Sequence, residues 1–461
     1  MVVLVSALWR LPSLFDPPWV NDEGTYFTLA QAMAHGYRLY SGIWDNKPPG
    51  LYLIYLAVYH LAGPSLVAIR LVAMGIALAL VLLAFLIARH YVSERSSLFA
   101  ALLTGLLFGV PFLEGTTANA ELFLAFFTAL GVLLWLCGLP GIAGVAMVAA
   151  FAIKSVAIFD LAALGIWLLL YDRPASGRYF AGVLGSLGLF VVLSWGSGIL
   201  VPMLHAVRYD FGYVGHGNAG LPWILLAKLA LLALVTVVLR RAPFTFLWLA
   251  YAAAGTLISG RLFGHYALQA MLPLAVTASI LVHRRPGLSP RGLAVAPLVF
   301  LAGGALSAGI GWGMAATGHD SSLARRLQYY ANFARLAVGQ ESYGAYRNQV
   351  DNHVSRNILL ARKLRQLPPG KVLIWGNVPW VYVLSNRLPA TPYPSAYRDP
   401  PVPGERVAFD HAIREQAARV VVVIRPPLPP LGGARVSLDR GYRLAGRVGN
   451  GRIYVAKQRH A

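Results

Sequence analysis

A polar stretch near the start of the chain, residues 21–50, holds the residue types that could do chemistry. It carries an adjacent carboxylate pair, Asp22 and Glu23, and a Lys-Pro-Pro sequence that begins at Lys47. A carboxylate can act as a general base, and a lysine ammonium can bind a phosphate as a compact charge. Each has an ordinary alternative, because the acids could cap a helix or favour its dipole. The lysine could equally be an ordinary side chain at a membrane boundary.

Further ionisable residues recur at the ends of hydrophobic segments. Glu121 begins one such segment, Lys154 lies in a short turn between two others, and Arg261 with His265-Tyr266 precedes another. Each could contact a substrate or an anionic lipid head group. Each could also be a helix cap, an interfacial anchor or a lysine that extends toward the head groups.

Composition defines the class of protein that must position these residues. The 461 residues are 57% hydrophobic and only 12% charged, with a mean hydropathy of +0.60, whereas soluble domains are about one quarter charged. The net charge is +21, but no basic stripe with interleaved aromatic residues suggests a nucleic-acid partner. Anionic or phosphate-bearing lipids fit this charge better. The single cysteine, Cys137, excludes an intramolecular disulfide.

The hydrophobic segments predict an all-α polytopic membrane bundle of about eleven transmembrane helices. The N-terminal apolar residues are too few for an ordinary span, and we expect them to belong to a truncated first helix. The other predicted spans are residues 65–88, 98–113, 121–138, 141–154, 156–171, 179–201, 222–239, 243–259, 264–283 and 292–315.

The connections between these spans indicate an orientation. Basic links that begin at Arg89, Arg173, Arg240 and Arg284 fall on one side when the spans alternate, and the positive-inside rule makes that side the cytoplasm. The first outer loop, residues 16–64, then lies on the opposite face. Acids and cations from at least four separated segments converge on that outer face, and this conjunction favours a functional site over the separate ordinary explanations.

The first outer loop itself contains two predicted helices. One runs from Asn21 or Asp22 to about Ala34, with Gly36 as its stop signal, and has an amphipathic pattern suited to the membrane interface. The other, residues 51–62, is short for a span and is predicted to be interfacial or re-entrant. A later outer loop is predicted around residues 205–220, with ionisable side chains at His205, Arg208, Asp210 and His216.

The chain changes character after residue 315. The transmembrane domain is predicted over residues 1–315, and a small extracytoplasmic α/β domain over residues 316–461, which hold most of the positive charge. Long translocated domains are exempt from the positive-inside bias. This domain is predicted to contain a helix over 408–418 and buried strands over 371–375, 419–424 and 452–456.

The residues now described resemble the GT-C glycosyltransferases, the integral membrane enzymes whose bacterial branch includes protein O-mannosyltransferases and lipid A aminoarabinose transferases. The likeness covers nearly the whole chain and is most specific in the first outer loop. The similar segments read DEGTY and GYRLYSGIWDNKPPGLYLIY in that loop, then TTANAELFLAFF, GRLFGHYALQAMLPL and KVLIWGNVPWVYVLSNRLPATPYP.

The resemblance implies an inverting transfer of a monosaccharide from a polyprenyl-phosphate sugar, with Asp22 as the base. The acceptor would be a hydroxyl or phosphate of a lipid, glycan or protein at the outer face of a bacterial inner membrane. Glu23 would support Asp22. The cations implied to bind the donor phosphate are Lys47, Arg261 and Lys154, and the residues implied to bind substrate are Tyr26, Glu121, His265 and Tyr266. We expect no cofactor and no divalent metal.

One departure limits the choice of sugar. The aminoarabinose branch has a glutamate directly before this lysine, whereas this chain has Asn46.

A non-catalytic flippase or exporter of lipid phosphates is the competing class, but it would need charged residues along a path at mid-bilayer. A ligase that uses a diphosphate-linked donor shares the layout, but the Asp-Glu loop with Lys-Pro-Pro argues against it.

Overall fold

The computed structural model describes residues 1–283, 329–396, 401–427 and 430–457, and these form two compact units. Each unit is assembled from three separate segments of the chain. The first unit comprises Met1–Phe15, Ile69–Gly196 and Val214–Tyr330. The second unit comprises Asp16–Ala68, Ser197–Tyr213 and Ala331–Ala461. The predicted boundary at residue 315, the predicted span 292–315 and the basic link at Arg284 lie outside the described residues.

Helices dominate both units. The helices up to residue 283 are α1 (Val2–Arg10), α2 (Asn21–Ala34), α3 (Pro49–Ala62), α4 (Leu66–Arg89), α5 (Glu94–Leu107), α6 (Ala120–Leu136), α7 (Pro140–Ile153), α8 (Ile158–Tyr171), α9 (Arg173–Gly196), α10 (Leu200–Gly217), α11 (Pro222–Leu239), α12 (Phe244–Leu257) and α13 (Leu268–His283). The later helices are α14 (Tyr329–Ala337), α15 (Tyr343–Val350), α16 (Val354–Arg365), α17 (Trp380–Ser385), α18 (Glu405–Arg414) and α19 (Ala434–Gly441).

The predicted membrane bundle is confirmed. Every predicted span between residues 65 and 283 overlaps one of these helices. Within the described part of the chain, four helical stretches are long and apolar enough to cross a bilayer, namely Leu66–Arg89, Arg173–Gly196, Pro222–Leu239 and Gly264–His283. Other apolar helices, such as α6 and α7, have 14 to 17 residues. Glycines such as Gly144 and Gly182 lie where α7 and α9 pack closely, an arrangement that small residues permit in membrane bundles.

Helix α2 has the predicted bounds but a different environment. Residues 23–32 are buried, with no exposed polar face, because α17 packs directly against the helix. The indole N–H of Trp380 donates to the carbonyl of Val20 at 2.7 Å. A Cβ on Gly24 would lie only 2.8 Å from the same indole ring, so this position needs glycine for the close approach. The helix is therefore buried and does not have the exposed polar face expected of an amphipathic interfacial helix.

Helix α10 corrects the predicted outer loop around residues 205–220. His205, Arg208, Asp210 and His216 all lie on this continuous helix. The loop was predicted because these residues lie between the predicted spans 179–201 and 222–239, but charged side chains do not stop a helix. Pro202 falls in the first turn, where proline is tolerated.

The C-terminal part of the second unit contains a four-stranded sheet, which confirms the predicted α/β character. The strands are β1 (Val372–Trp375), β2 (Val420–Ile424), β3 (Tyr442–Val448) and β4 (Gly451–Ala456). Their order is β1-β2-β4-β3, with β1 and β2 parallel and the other pairs antiparallel. Strand β3 and helices α16, α17 and α19 were not predicted. Helix α16 packs on one face of the sheet, and α18 and α19 pack on the other.

Candidate active site

A carboxylate and a lysine of the first outer loop both contact one tyrosine in the second unit. The hydroxyl of Tyr26 donates to Asp22 Oδ2 at 3.3 Å. Lys47 Nζ lies over the ring of the same tyrosine, 5.0 Å from its centroid, which is within the range of a cation–π interaction. The structure therefore brings together Asp22, Tyr26 and Lys47, three residues that the sequence analysis selected.

The conformation of Lys47 is determined by the tyrosines around it. The hydroxyl of Tyr40 donates to the carbonyl of Lys47 at 2.8 Å, and the Lys47 N–H donates to the hydroxyl of Tyr52 at 3.2 Å. Tyr40 itself has φ 68°, a left-handed conformation that is uncommon outside glycine and is often found at functional sites. Helix α3 begins directly afterwards with Pro49 at its first position, where the fixed φ of proline suits a helix start.

Two further acids lie near this segment, Asp45 beside the lysine and Asp210 beside Asn46. Asp45 Oδ2 lies 3.6 Å from Lys47 Nζ and also accepts a hydrogen bond from Tyr52 at 2.9 Å. Asn46 donates to Asp210 on α10 at 2.6 Å. Burial, and after it the charges of Asp45 and Asp210, raise the pKa of Tyr40 far above its usual range. Tyr40 therefore keeps its proton and remains a donor to the Lys47 backbone.

Asp22 and Glu23 occupy the first turn of α2, and neither is its cap. The N-cap is Val20, and no side chain forms a capping hydrogen bond there. The capping explanation of these acids is therefore wrong, while a first-turn carboxylate still interacts favourably with the helix dipole. Glu23 is fully buried, whereas Asp22 retains partial exposure. Of the two acids, Asp22 is the one that a substrate could reach.

A second pair of opposite charges lies in the first unit. Lys154, in the turn after α7, forms a short ion pair with Glu121 in the first turn of α6. Its Nζ also lies over the ring of Tyr266, 4.0 Å from the centroid. Glu121 therefore binds the lysine rather than capping its helix. This group unites three predicted site residues, although their roles toward a substrate stay predictions.

His265 belongs to a neighbouring contact in the same unit. Its Nδ1 lies 2.8 Å from Glu114 Oε2, and Asn119 donates to the same carboxylate oxygen at 3.3 Å. Glu114 has a left-handed backbone with φ 51°. Buried Arg10 donates to the carbonyls of Phe108 and Gly115, so the loop that carries Glu114 is held on both sides.

The contacts in the structure do not test the predictions for Arg261 and for a metal. Arg261 lies in the non-helical link between α12 and the short turn Gly264–Ala267, and its N–H donates to the Ser259 hydroxyl at 3.3 Å. Its binding of phosphate stays a prediction. Across the described ranges, no group of three or more histidine, cysteine, aspartate or glutamate side chains is arranged to hold a metal. Metal independence likewise stays a prediction.

Sequence reasoning missed the partners of the residues it selected. Asp45 lies only two positions before Lys47, so the spacing itself could have indicated the pair. Glu114 and Asp210 could not be found in this way, since 151 and 164 residues separate them from His265 and Asn46.

The bundle with its C-terminal sheet has the fold of the GT-C membrane glycosyltransferases, which confirms the resemblance of the sequence at the level of fold. Two of the similar solved structures are of ArnT, a lipid A aminoarabinose transferase, from Cupriavidus metallidurans. The apo structure matches with a TM-score of 0.63 at 16% identity and covers 99% of this chain and 98% of ArnT. The structure bound to undecaprenyl phosphate matches with a TM-score of 0.59 at 15% identity and the same coverage.

Other comparisons add nothing to this assignment. An oligosaccharyltransferase from Archaeoglobus fulgidus matches with a TM-score of 0.49 at 13% identity, over 92% of this chain and 69% of that chain. No protein-family profile matches the sequence, and no curated protein matches it either. The likeness to ArnT therefore establishes the fold, and a function has to be argued from the residues of this chain.

Proposed function

We propose that this protein is an inverting glycosyltransferase that uses a polyprenyl-phosphate sugar as its donor. An acceptor oxygen forms a bond to the anomeric carbon while the bond from that carbon to the phosphate oxygen breaks. The electron pair leaves with the phosphate, and the acceptor proton passes to Asp22. A base of this kind contributes roughly 10²- to 10⁴-fold to a rate.

The observation that carries this proposal is that Asp22 and Lys47 both contact Tyr26, Asp22 at its hydroxyl and Lys47 over its ring. An acceptor that donates its proton to Asp22 and a leaving phosphate near Lys47 would then both lie beside Tyr26. Lys47 also lies two residues before the first residue of α3, where the helix dipole favours an anion. Positive charge placed at a leaving group stabilises the transition state more than the ground state.

The shared fold supports the choice of donor. One ArnT structure was determined with undecaprenyl phosphate, and this is the product that a polyprenyl-phosphate sugar leaves after transfer. Tyr26 is then the residue that orients Asp22, and buried Glu23 supports the first turn of α2.

We further propose that the protein lies in a bacterial inner membrane, with the site and the C-terminal sheet on the outer side. The basic links after α4, α8 and α11 support this orientation.

The test is transfer by purified full-length protein from a panel of radiolabelled polyprenyl-phosphate monosaccharides. Wild type and Asp22→Asn are compared, with Asp351→Asn as a control that changes an aspartate far from α2 in sequence. We expect transfer by wild type and Asp351→Asn, and a loss of roughly 10²-fold or more in Asp22→Asn. Binding of undecaprenyl phosphate should be unchanged in Asp22→Asn, because only the base is removed.

Two results would overturn the proposal. Normal turnover by Asp22→Asn would exclude this residue as the base. Movement of labelled lipid across vesicle membranes by wild type, without release of polyprenyl phosphate for any donor and acceptor extract, would favour the non-catalytic exporter.

A further inference from the structure

Four arginines lie near the hairpin-turn end of the C-terminal sheet, with Arg447 and Arg452 on the face that α18 and α19 cover and Arg356 on α16, which covers the other face. Arg447 and Arg452 lie in β3 and β4, close to the hairpin turn that connects these strands. Arg425 follows directly after the last residue of β2, and Arg356 lies in the first turn of α16. Their positions come from four different elements of the second unit, so the cluster is a product of the fold and not a run in the sequence.

Arg447 and Arg452 are direct partners across the antiparallel pair. Directly opposite residues point to the same face with Cβ atoms about 4.5–5.5 Å apart, and like charges in such a pair are destabilising. The short turn between the strands sets this pairing, because Val448 pairs with Gly451 and Arg447 with Arg452 on the turn side of the register shift between Leu444 and Gly446. The hairpin thus brings two positive charges together on one face of the sheet.

The hairpin turn anchors the other two arginines. Arg356 Nη1 donates to the side-chain oxygen of Asn450 at 2.8 Å. The Asn450 side-chain amide donates to the carbonyl of Arg425 at 2.6 Å, and the Arg425 N–H donates to the carbonyl of Asn450 at 3.0 Å. Asn450 therefore connects both arginines to the turn between the paired strands.

Acidic residues of the described ranges make no close ion pair with these arginines. Across the described ranges, none of these four arginines has a carboxylate oxygen within 4.0 Å. Asp439, on a helix against the same sheet, is bound by Arg435 at 2.9 Å. Asp351 attracts Arg356 only at longer range, and burial lowers the pKa of Arg356. Residues 329–461 contain 20 lysines and arginines but only seven acids, whereas surfaces usually mix both signs.

We propose that Arg447 and Arg452, with Arg425 beside the same turn, form a second anion site that binds a phosphate-bearing ligand, while Arg356 on the other face holds the turn through Asn450. Arginine forms paired hydrogen bonds with phosphate oxygens, which a lysine cannot match. A bound phosphate between Arg447 and Arg452 would also remove their mutual repulsion. The phosphate could belong to a soluble molecule or to a lipid head group, and this site uses none of the residues assigned to the sugar donor.

The experiment measures binding of inorganic pyrophosphate to the full-length protein in nanodiscs of phosphatidylcholine, by calorimetry. The variant is Arg447→Gln with Arg452→Gln. The control is Arg414→Gln with Arg440→Gln, which removes the same charge from exposed positions on α18 and α19. We expect roughly tenfold or greater weakening in the strand variant, since charge-assisted hydrogen bonds are lost, and less than twofold weakening in the control.

Thermal unfolding separates loss of the site from loss of the fold. Without added anion, the strand variant should melt at or above the wild-type temperature, because a repulsive pair has been removed. Pyrophosphate should raise the melting temperature of wild type and of the control more than that of the strand variant. Equal pyrophosphate affinity in wild type and the strand variant, or equal loss in the control, would overturn the proposal.

Nanodiscs that contain phosphatidic acid identify the source of the phosphate. If the ligand is a lipid head group, these discs should weaken pyrophosphate binding by wild type far more than binding by the strand variant. If the ligand is soluble, both proteins should be affected equally. Transfer activity does not enter either measurement, so failure here is distinguishable from failure of the proposed glycosyltransferase.

Discussion

The two units each contain a buried lysine next to a carboxylate and over a tyrosine ring, yet the two groups differ in tightness. Lys154 makes a short ion pair with Glu121, and its Nζ is 4.0 Å from the ring centroid of Tyr266. Lys47 is 3.6 Å from Asp45 and 5.0 Å from the ring centroid of Tyr26. The two lysine side chains are similarly buried, at 14% and 16% exposure. Burial therefore does not explain the difference.

The difference indicates two uses of the same residue types. A lysine in close contact with a carboxylate has its charge compensated and connects two segments, here the turn after α7 and the start of α6. Lys47 lies farther from Asp45 than Lys154 lies from Glu121. We therefore propose that Lys47 binds phosphate and that Lys154 has a positioning role, although the resemblance in sequence implied phosphate binding for both.

The largest expected effect concerns the tight pair. Glu121→Gln or Lys154→Met alone leaves a buried charge without its partner, which costs about 3–5 kcal/mol of stability. The double variant should recover much of this loss, because both charges are then removed. Thermal unfolding of the purified protein in detergent measures all three variants. Additive losses in the double variant would mean that the pair does not act as a unit.

A smaller effect is expected for donor affinity at the loose pair. Lys47→Met should weaken binding of undecaprenyl phosphate roughly tenfold, as expected when a hydrogen bond to a charged group is lost. Lys371→Met is the matched control, because Lys371 also lies 5.0 Å from the centroid of a tyrosine ring, that of Tyr37. Unchanged affinity in Lys47→Met would show that Lys47 does not bind the phosphate and is an ordinary residue at the membrane boundary.

The smallest expected effect concerns Asp45 and shows whether it competes with the ligand for Lys47 or orients this lysine. Asp45→Asn removes the carboxylate that competes for Lys47, so undecaprenyl phosphate should bind about two- to fivefold more tightly, in keeping with the modest energies of loose ion pairs. The same binding titration measures this change. Weaker binding would show that Asp45 orients Lys47 rather than competing with the ligand.

The sequence predicted features that depend on nearby residues. The bounds of α2 were correct because Gly36, with φ 86°, ends the helix as a glycine stop should. Strands β1 and β2 were found because each is a short, buried apolar run. Strand β3 was missed because Tyr442–Val448 includes two arginines and two exposed stretches. Its register shift depends on pairing with β4, which is not visible in local sequence.

For the candidate site too, the sequence predicted the features that depend on nearby residues. Asp22 and Lys47 were selected from their types and spacing and Tyr26 from the resemblance, but the contacts of Tyr26 with both were not predicted. Trp380, which closes over α2, could not be anticipated, because its contact with Val20 joins residues 360 positions apart. Long-range packing, rather than propensity, determines these contacts.

The interleaved second unit has a consequence for how the protein is made. Helix α2 is synthesised near the start of the chain, but α17, which covers it, comes more than 340 residues later. Contacts of such separation form late, so Tyr26 and Phe27 lack their final packing until the last third has left the ribosome. A chain that ends at residue 283 would contain most of the membrane helices and every predicted site residue. It would still lack the helix that covers α2, and the first outer loop would be synthesised first but completed last.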